Sequence, residues 1–130
     1  MVVSGNHVSA AGSAVNVTNF QSLIGLNSNV TVSHNTLMHN ARGVKVGANS
    51  LTGTVQAYRN ALTGNAAFGI FKDPASGGSV IGTCNWWGSK SGPGPVGPGA
   101  GDNVSVGVSY SPWLTSPNLD GNCGTKSKDD

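Results

Sequence analysis

The chain repeats itself at a nearly constant interval, and four asparagines mark the repeat: Asn6, Asn35, Asn60 and Asn85. The last three are evenly spaced, and the first interval is slightly longer. Apolar or small residues recur at fixed positions: five before each Asn (Met1, Val30, Val55, Val80), three before (Val3, Val32, Ala57, Gly82) and two after (Val8, Leu37, Leu62, Trp87). Self-similarity at such a period indicates stacked units that share one continuous core.

These apolar positions have the spacing of β-strands. Residues two apart point to the same side of a strand, so the columns before each Asn face inward when coils stack in parallel about 4.8 Å apart. Thr31, Lys45 and Gln56 then face outward. An antiparallel β-sandwich also has short strands and turns, but it does not explain residue types that recur from one copy of the repeat to the next. We therefore predict an all-β, right-handed parallel β-helix of about four coils with a C-terminal cap.

A second set of matches identifies another strand of the coil. Val15-Asn16-Val17 aligns with Val44-Lys45-Val46. The third copy, Gly69–Lys72, aligns only with a shift of one residue. That alignment puts Lys72 opposite Val46, so either the strand stops early or the register differs there.

The asparagine column has a physical reason of its own. A coil bends between strands, and Asn tolerates the left-handed backbone angles that tight bends require. Stacked Asn amides also hydrogen-bond along the axis as a ladder. We therefore assign Asn6, Asn35, Asn60 and Asn85 a structural role at the bends.

Low charge argues against nucleic-acid-binding and membrane-inserted proteins. Only 9% of the residues are charged, and the formal net charge is +2. Such scattered basic residues do not make a nucleic-acid footprint, and no apolar run reaches the length of a membrane span. We expect neither a nucleic-acid partner nor membrane insertion.

The two cysteines leave two interpretations open. In a secreted protein Cys84 and Cys123 are expected to pair, and closing a loop of this size contributes roughly 3–4 kcal/mol in the chain-entropy account. In a cytosolic protein they would be two free, buried thiols.

The repeat pattern ends after Asn85. The Gly- and Pro-rich stretch 91–101 is a predicted loop, because Pro lacks the backbone donor and Gly the rigidity that strands need. The alternation of Val104, Val106, Val108 and Tyr110 predicts one further strand. We divide the chain into coils, residues 1–88, and a loop, strand and capping tail, residues 89–130.

Three tryptophans, Trp86, Trp87 and Trp113, are suitable lids for the last coil, which otherwise exposes its core and an unpaired edge. Exposed aromatic rings also stack on sugars. Tyr58, Trp86 and Trp113 are therefore candidate carbohydrate-binding residues.

Four segments of the C-terminal third resemble a known family. They are Cys84-Asn-Trp-Trp-Gly-Ser89, Ser91-Gly-Pro93, Asp102-Asn-Val104 and Ser111-Pro-Trp-Leu114. They resemble the C-terminal end of secreted bacterial right-handed β-helix proteins of the pectin-lyase-like superfamily, and the resemblance extends over essentially the whole chain. It implies a secreted or cell-surface location. The superfamily includes polysaccharide lyases, glycosidases, epimerases and surface adhesins, so the fold alone does not define the activity.

Catalytic residue types are scarce. Glycosidases generally use two carboxylates, and the coils contain one, Asp73. Calcium takes six or more oxygen ligands, usually including carboxylates, and the sequence supplies no such cluster. We predict no metal and no cofactor.

A lyase or epimerase without a metal needs a base and a cation beside the sugar carboxylate. His34, Tyr58 and Arg59 are the candidate catalytic group. His34 and Arg59 share a column one coil apart, so their backbones lie about 5 Å from each other. The alternative interpretation is that these are ordinary polar side chains at a bend.

Two classes of function follow. The first is a non-catalytic extracellular module with a structural, adhesive or polysaccharide-binding role. The second is the C-terminal fragment of a polysaccharide lyase or epimerase whose active coils lie upstream. The first coil begins mid-pattern at Met1, so we expect its open edge to be covered by upstream coils or by self-association.

Overall fold

The computed structural model describes residues 2–9, 12–17, 27–47 and 51–123. Within these ranges every regular element is a β-strand, and the strand pairs are parallel. The chain passes repeatedly through the same three sheets. The fold is therefore a parallel β-solenoid, which confirms the predicted architecture.

Each sheet collects one strand from every coil. Sheet A contains β1 (Val2–Ser4), β4 (Asn27–Ser33), β7 (Leu51–Tyr58), β10 (Ser79–Ile81) and β13 (Val108–Ser109). Sheet B contains β2 (His7–Ser9), β5 (Thr36–Met38) and β8 (Ala61–Thr63). Sheet C contains, in spatial order, β3 (Ser13–Val17), β6 (Arg42–Val46), β9 (Phe68–Lys72), β12 (Asn103–Val104) and β11 (Gly94–Pro95).

The predicted register between coils is confirmed. In sheet A, Val3 pairs with Val32, Val32 with Ala57, and Val55 with both Val30 and Val80. In sheet B, Val8 pairs with Leu37 and Leu37 with Leu62. Met1, which we placed in an inward column, lies outside the described residues.

The inward columns make the core. Val32, Leu37, Val55, Leu62 and Ile70 have no exposed surface at all. Burying a Val, Leu or Ile side chain contributes about 1.5–3 kcal/mol. Each coil buries these residues only against its neighbours, so stacking is what stabilises the fold.

The pairing in sheet C shows whether the third copy of the strand stops before Lys72. The strand continues through this residue, and Lys72 pairs with Val46 as aligned. Its Nζ donates a hydrogen bond to the Ser76 carbonyl at 3.0 Å, and its backbone N–H donates to Ser105 Oγ at 2.8 Å. The ammonium is therefore partnered although its column is otherwise apolar.

The prediction of one strand over residues 104–110 is wrong. The segment forms two short strands, β12 and β13, which pair with β9 in sheet C and β10 in sheet A. The chain turns between them at Gly107, whose φ of 94° lies in the left-handed region that favours glycine. The turn leaves Val106 77% exposed.

Three regular coils are thus followed by an irregular fourth. Its sheet B position is taken by Trp86, which bridges Ala61. The Gly- and Pro-rich loop enters before β12, so the coil closes although its sequence no longer repeats. Sheets A and C therefore continue beyond residue 88.

Candidate functional site

The four repeat asparagines form a ladder along the corner between sheets A and B, in which Asn35, Asn60 and Asn85 are fully buried and Asn6 is exposed. Asn35 donates from its backbone nitrogen and from Nδ2 to Asn60 Oδ1, both at 3.0 Å. Asn60 does the same to Asn85 Oδ1, at 2.9 and 3.1 Å. Asn6 makes the equivalent bonds to Asn35. The stacked amides therefore hydrogen-bond from coil to coil along the axis.

The asparagines are not the left-handed residues of the bend, contrary to our expectation. That conformation belongs to the residue before each of them: Gly5, His34, Arg59 and Cys84, with φ of 70°, 56°, 54° and 60°. We call these four residues the corner column. The left-handed residue bends the chain between sheets A and B, and the amide of the following Asn bonds along the stack.

A second ladder, which our sequence reasoning missed, lies at the corner between sheets B and C. Asn40 donates from its backbone nitrogen to Asn65 Oδ1 at 3.1 Å. Asn65 donates from its backbone nitrogen and Nδ2 to Asp102 Oδ2 at 3.0 and 2.7 Å. The available signal was the separation of Asn40 and Asn65, which equals that of Asn35 and Asn60.

Asp102 ends this second ladder. Its Oδ1 also accepts the Gly64 N–H at 2.9 Å. Burial raises the pKa of this carboxyl above its ordinary 3.8, while the hydrogen bonds from Asn65 and Gly64 and the nearby His39 oppose the rise. Asp102 thus attaches the C-terminal loop to the third coil.

The candidate catalytic residues His34 and Arg59 contact the C-terminal tail, residues 118–123. Arg59 Nη1 donates to the Leu119 and Gly121 carbonyls, each at 2.8 Å. His34 Nε2 lies 2.9 Å from Asp120 Oδ1. The predicted column is confirmed, since His34 N–H donates to the Arg59 carbonyl at 2.8 Å. Both side chains are engaged by the protein's own tail.

Cys84 and Cys123 form a disulfide. The bond joins the corner of the fourth coil to the end of the described tail. The two cysteines are therefore paired, as expected for a secreted protein. The alternative of two free thiols is wrong.

The candidate carbohydrate-binding aromatics lie apart. Tyr58 ends β7 and pairs with Ser33 on the outer side of sheet A. Trp86 is half-buried beside Ala61. Trp113 lies against the Gly- and Pro-rich loop and donates from Nε1 to the Lys90 carbonyl at 3.0 Å. They do not form one continuous sugar platform.

Trp87 and Trp113 occupy the positions expected of lids. Trp87 is fully buried, and a Cβ on Gly69 would approach its ring to 2.9 Å. Trp113 packs so closely on Gly92 that a Cβ there would lie 2.6 Å from the indole. The segment Pro112–Leu114 also bonds to the fourth coil through Cys84 and Asn85.

The outer side of sheet C carries a group that sequence reasoning did not find. Arg42 and Lys45 lie on β6, and Phe68 and Phe71 occupy the paired positions on β9. The Arg42 guanidinium lies 5.6 Å from the Phe71 ring centroid, and the two phenyl rings are 5.1 Å apart. We call these four residues the basic-aromatic face.

The basic-aromatic face depends on two glycines that point into the core, Gly43 on β6 and Gly69 on β9. A Cβ on Gly43 would meet the Gly69 carbonyl at 2.6 Å and Leu62 at 3.0 Å, so this position points into the core. The following residue, Val44, is fully buried as well. Two successive inward residues break the period of two, so Arg42 and Lys45 emerge on the same side.

Sheet A presents a neutral surface by contrast. A depression of about 290 Å³ is lined by Val30, Thr31, Thr54, Gln56 and Ile81. Its polar groups are hydroxyls and one amide, which suit hydrogen bonding to other neutral polar groups.

Each carboxylate of the described chain already has a hydrogen-bond partner. Asp73 Oδ1 accepts the Ala75 N–H at 2.9 Å, Asp102 ends the second ladder, and Asp120 pairs with His34. Among the described residues no three His, Cys, Asp or Glu side chains are grouped so that they could hold a metal ion. The same part of the chain contains no helix long and apolar enough to cross a membrane.

No protein-family model, no curated protein and no solved structure matches this chain.

Proposed function

We propose that this chain is an extracellular, non-catalytic β-solenoid module that binds acidic polysaccharide on the basic-aromatic face. The observation that carries the proposal is the placement of two cations and two phenyl rings on neighbouring strands of sheet C. The resemblance to the C-terminal region of secreted β-helix proteins supports the same assignment.

The chemistry of this face fits a sugar acid. A guanidinium and an ammonium bind carboxylates through charge-assisted hydrogen bonds. Phenyl rings supply an apolar surface for the carbon–hydrogen side of a sugar ring. Strands β6 and β9 contain no Asp or Glu, so no carboxylate on these strands competes with the ligand.

Arg42 is prepared for such a ligand. Its guanidinium already lies over Phe71, which reduces the conformational freedom that binding would otherwise cost. Lys45 pairs with Phe71 across the strands, so both charges flank the same ring.

The disulfide supports an extracellular location, because such bonds persist in oxidising compartments. The non-catalytic assignment rests on the engagement of His34, Arg59 and the described carboxylates in structural contacts. While the tail is docked, His34 and Arg59 are engaged by it and are not free to act on a sugar.

Titration calorimetry with polygalacturonate, and with dextran as a neutral polymer, tests the proposal. The charged polymer should bind and dextran should not, and salt should weaken the binding. Arg42→Gln should lower the affinity about tenfold, the equivalent of one lost charge-assisted hydrogen bond. Phe71→Leu should weaken binding without changing its salt dependence.

Lys90→Gln is the matched control, because Lys90 is an exposed cation outside the basic-aromatic face. Equal losses in the Arg42 and Lys90 variants would show only a nonspecific charge effect and refute the site. An ultraviolet assay for unsaturated sugar products should stay silent. A signal that disappears in Arg59→Ala would instead support the lyase alternative.

A further inference from the structure

The corner column carries unfavourable backbone conformations at the positions that hold the tail. His34, Arg59 and Cys84 all have left-handed φ, which non-glycine residues adopt uncommonly. Each of the three contacts the tail. The first coil has glycine at this position, Gly5, and no described contact links it to the tail. Side chains thus replace glycine where the tail is bound.

The second corner follows the same pattern. His39 is the other left-handed non-glycine residue of the described chain, and Gly64 occupies the matching position one coil later. A Cβ on Gly64 would lie 3.5 Å from the His39 ring. Here too the non-glycine side chain has a specific neighbour, so the strain coincides with a contact.

The tail is shaped for its partners. Asn118 accepts the Gly121 N–H through its carbonyl at 3.0 Å and the Asp120 N–H through Oδ1 at 3.1 Å. This turn directs the Leu119 and Gly121 carbonyls toward one guanidinium nitrogen of Arg59. Arg59 therefore binds the turn on both sides of Asp120.

We propose that the tail is a redox latch, in which Arg59 and His34 dock the turn and thereby place Cys123 beside Cys84. The disulfide then closes and opens reversibly while the solenoid stays folded. Sheets A, B and C pair without any residue of the tail, so opening the latch removes no strand. Arg59 and His34 act as positioning residues for the thiol pair.

The opening step is a thiol–disulfide exchange with a dithiol. One thiolate of the dithiol attacks a cystine sulfur and forms a mixed disulfide, and the second thiolate displaces the protein sulfur. Two electrons and two protons pass from the dithiol to the cystine. The dithiol becomes a cyclic disulfide, and Cys84 and Cys123 become thiols.

The experiment measures the closing equilibrium of the full chain in glutathione buffers by quenched alkylation and mass spectrometry. Arg59→Gly should lower the equilibrium constant for closing about tenfold, because two hydrogen bonds to a charged donor are lost. The same change should leave the urea midpoint of the reduced protein equal or higher, because glycine relieves the left-handed strain. A merely structural role of Arg59 would lower both.

His34→Gly should act in the same direction, and Lys90→Ala, which changes an exposed cation outside the corner column, should change neither quantity. Far-ultraviolet circular dichroism of the wild type in excess dithiothreitol should keep its β-sheet signal. An unchanged closing constant in both corner variants would show that the tail is merely tethered. Unfolding on reduction would show a structural staple, and either result overturns the latch.

Discussion

Asn60→Ala tests how much the buried amide ladder stabilises the solenoid. Asn60 is fully buried. Its Oδ1 accepts two hydrogen bonds from Asn35, each 3.0 Å long. Its Nδ2 donates to the Val32 carbonyl at 2.9 Å and to Asn85 Oδ1 at 3.1 Å. Alanine removes these four bonds and keeps the backbone donor of residue 60.

The magnitude follows from the groups left behind. Two donors of Asn35 and the carbonyl of Val32 lose a partner in places closed to water. Each buried polar group without a partner costs about 1–3 kcal/mol. We therefore expect a loss of about 3–9 kcal/mol, a large part of the roughly 5–15 kcal/mol that stabilises a typical domain.

Urea unfolding followed by far-ultraviolet circular dichroism measures the loss. Asn6→Ala is the matched control, because the Asn6 side chain is exposed and donates to Ser4 and Asn35. It should cost less than about 1 kcal/mol, since water replaces the lost bonds. If the two variants unfold within about 1 kcal/mol of each other, the buried ladder is not a principal source of stability.

Three further predictions concern the stability of core variants, the dependence of stability on acid pH, and self-association through the N-terminal edge strands. Val32→Asp should destabilise by several kcal/mol in thermal melts, and Thr31→Asp, one residue away and outward, by far less. The raised pKa of Asp102 means that the folded state holds this proton more tightly, so its contribution to stability falls as pH rises through the window above 3.8. Asp102→Asn should remove that dependence from urea midpoints measured across the acid range. Light scattering should show mass growing with concentration, because β1, β2 and β3 are edge strands, and Val3→Lys should suppress that growth.

The sequence by itself determined the solenoid, the register and the ladder. Each coil packs only on the next, so register depends on which residue types recur at the coil length. Val30, Val55 and Val80 recur at the same spacing as the ladder asparagines and stack in the structure. Lys72 lies opposite Val46 with the one-residue shift that the alignment required, so in sheet C the pairing keeps neither the constant spacing nor the residue type.

The basic-aromatic face could not be predicted from the repeat. The basic-aromatic face depends on Gly43 and Gly69 turning inward beside Val44 and Ile70. A period of two would place Arg42 and Lys45 on opposite sides of β6. The inward position of Gly43 depends on its close packing against Leu62, and that of Gly69 on its close packing against Trp87. Leu62 and Trp87 belong to other parts of the solenoid than the glycines they contact.

Only the tertiary structure decided the contacts that cross irregular segments. Asp102 reaches Asn65 over 37 residues, and Asp120 reaches His34 over 86. Neither separation is a multiple of the repeat, because the Gly- and Pro-rich loop and the tail leave the coil path. Spacing within the repeat defines which coil positions stack. The route of a chain that has left the coil depends instead on packing, on turns and on the disulfide between Cys84 and Cys123.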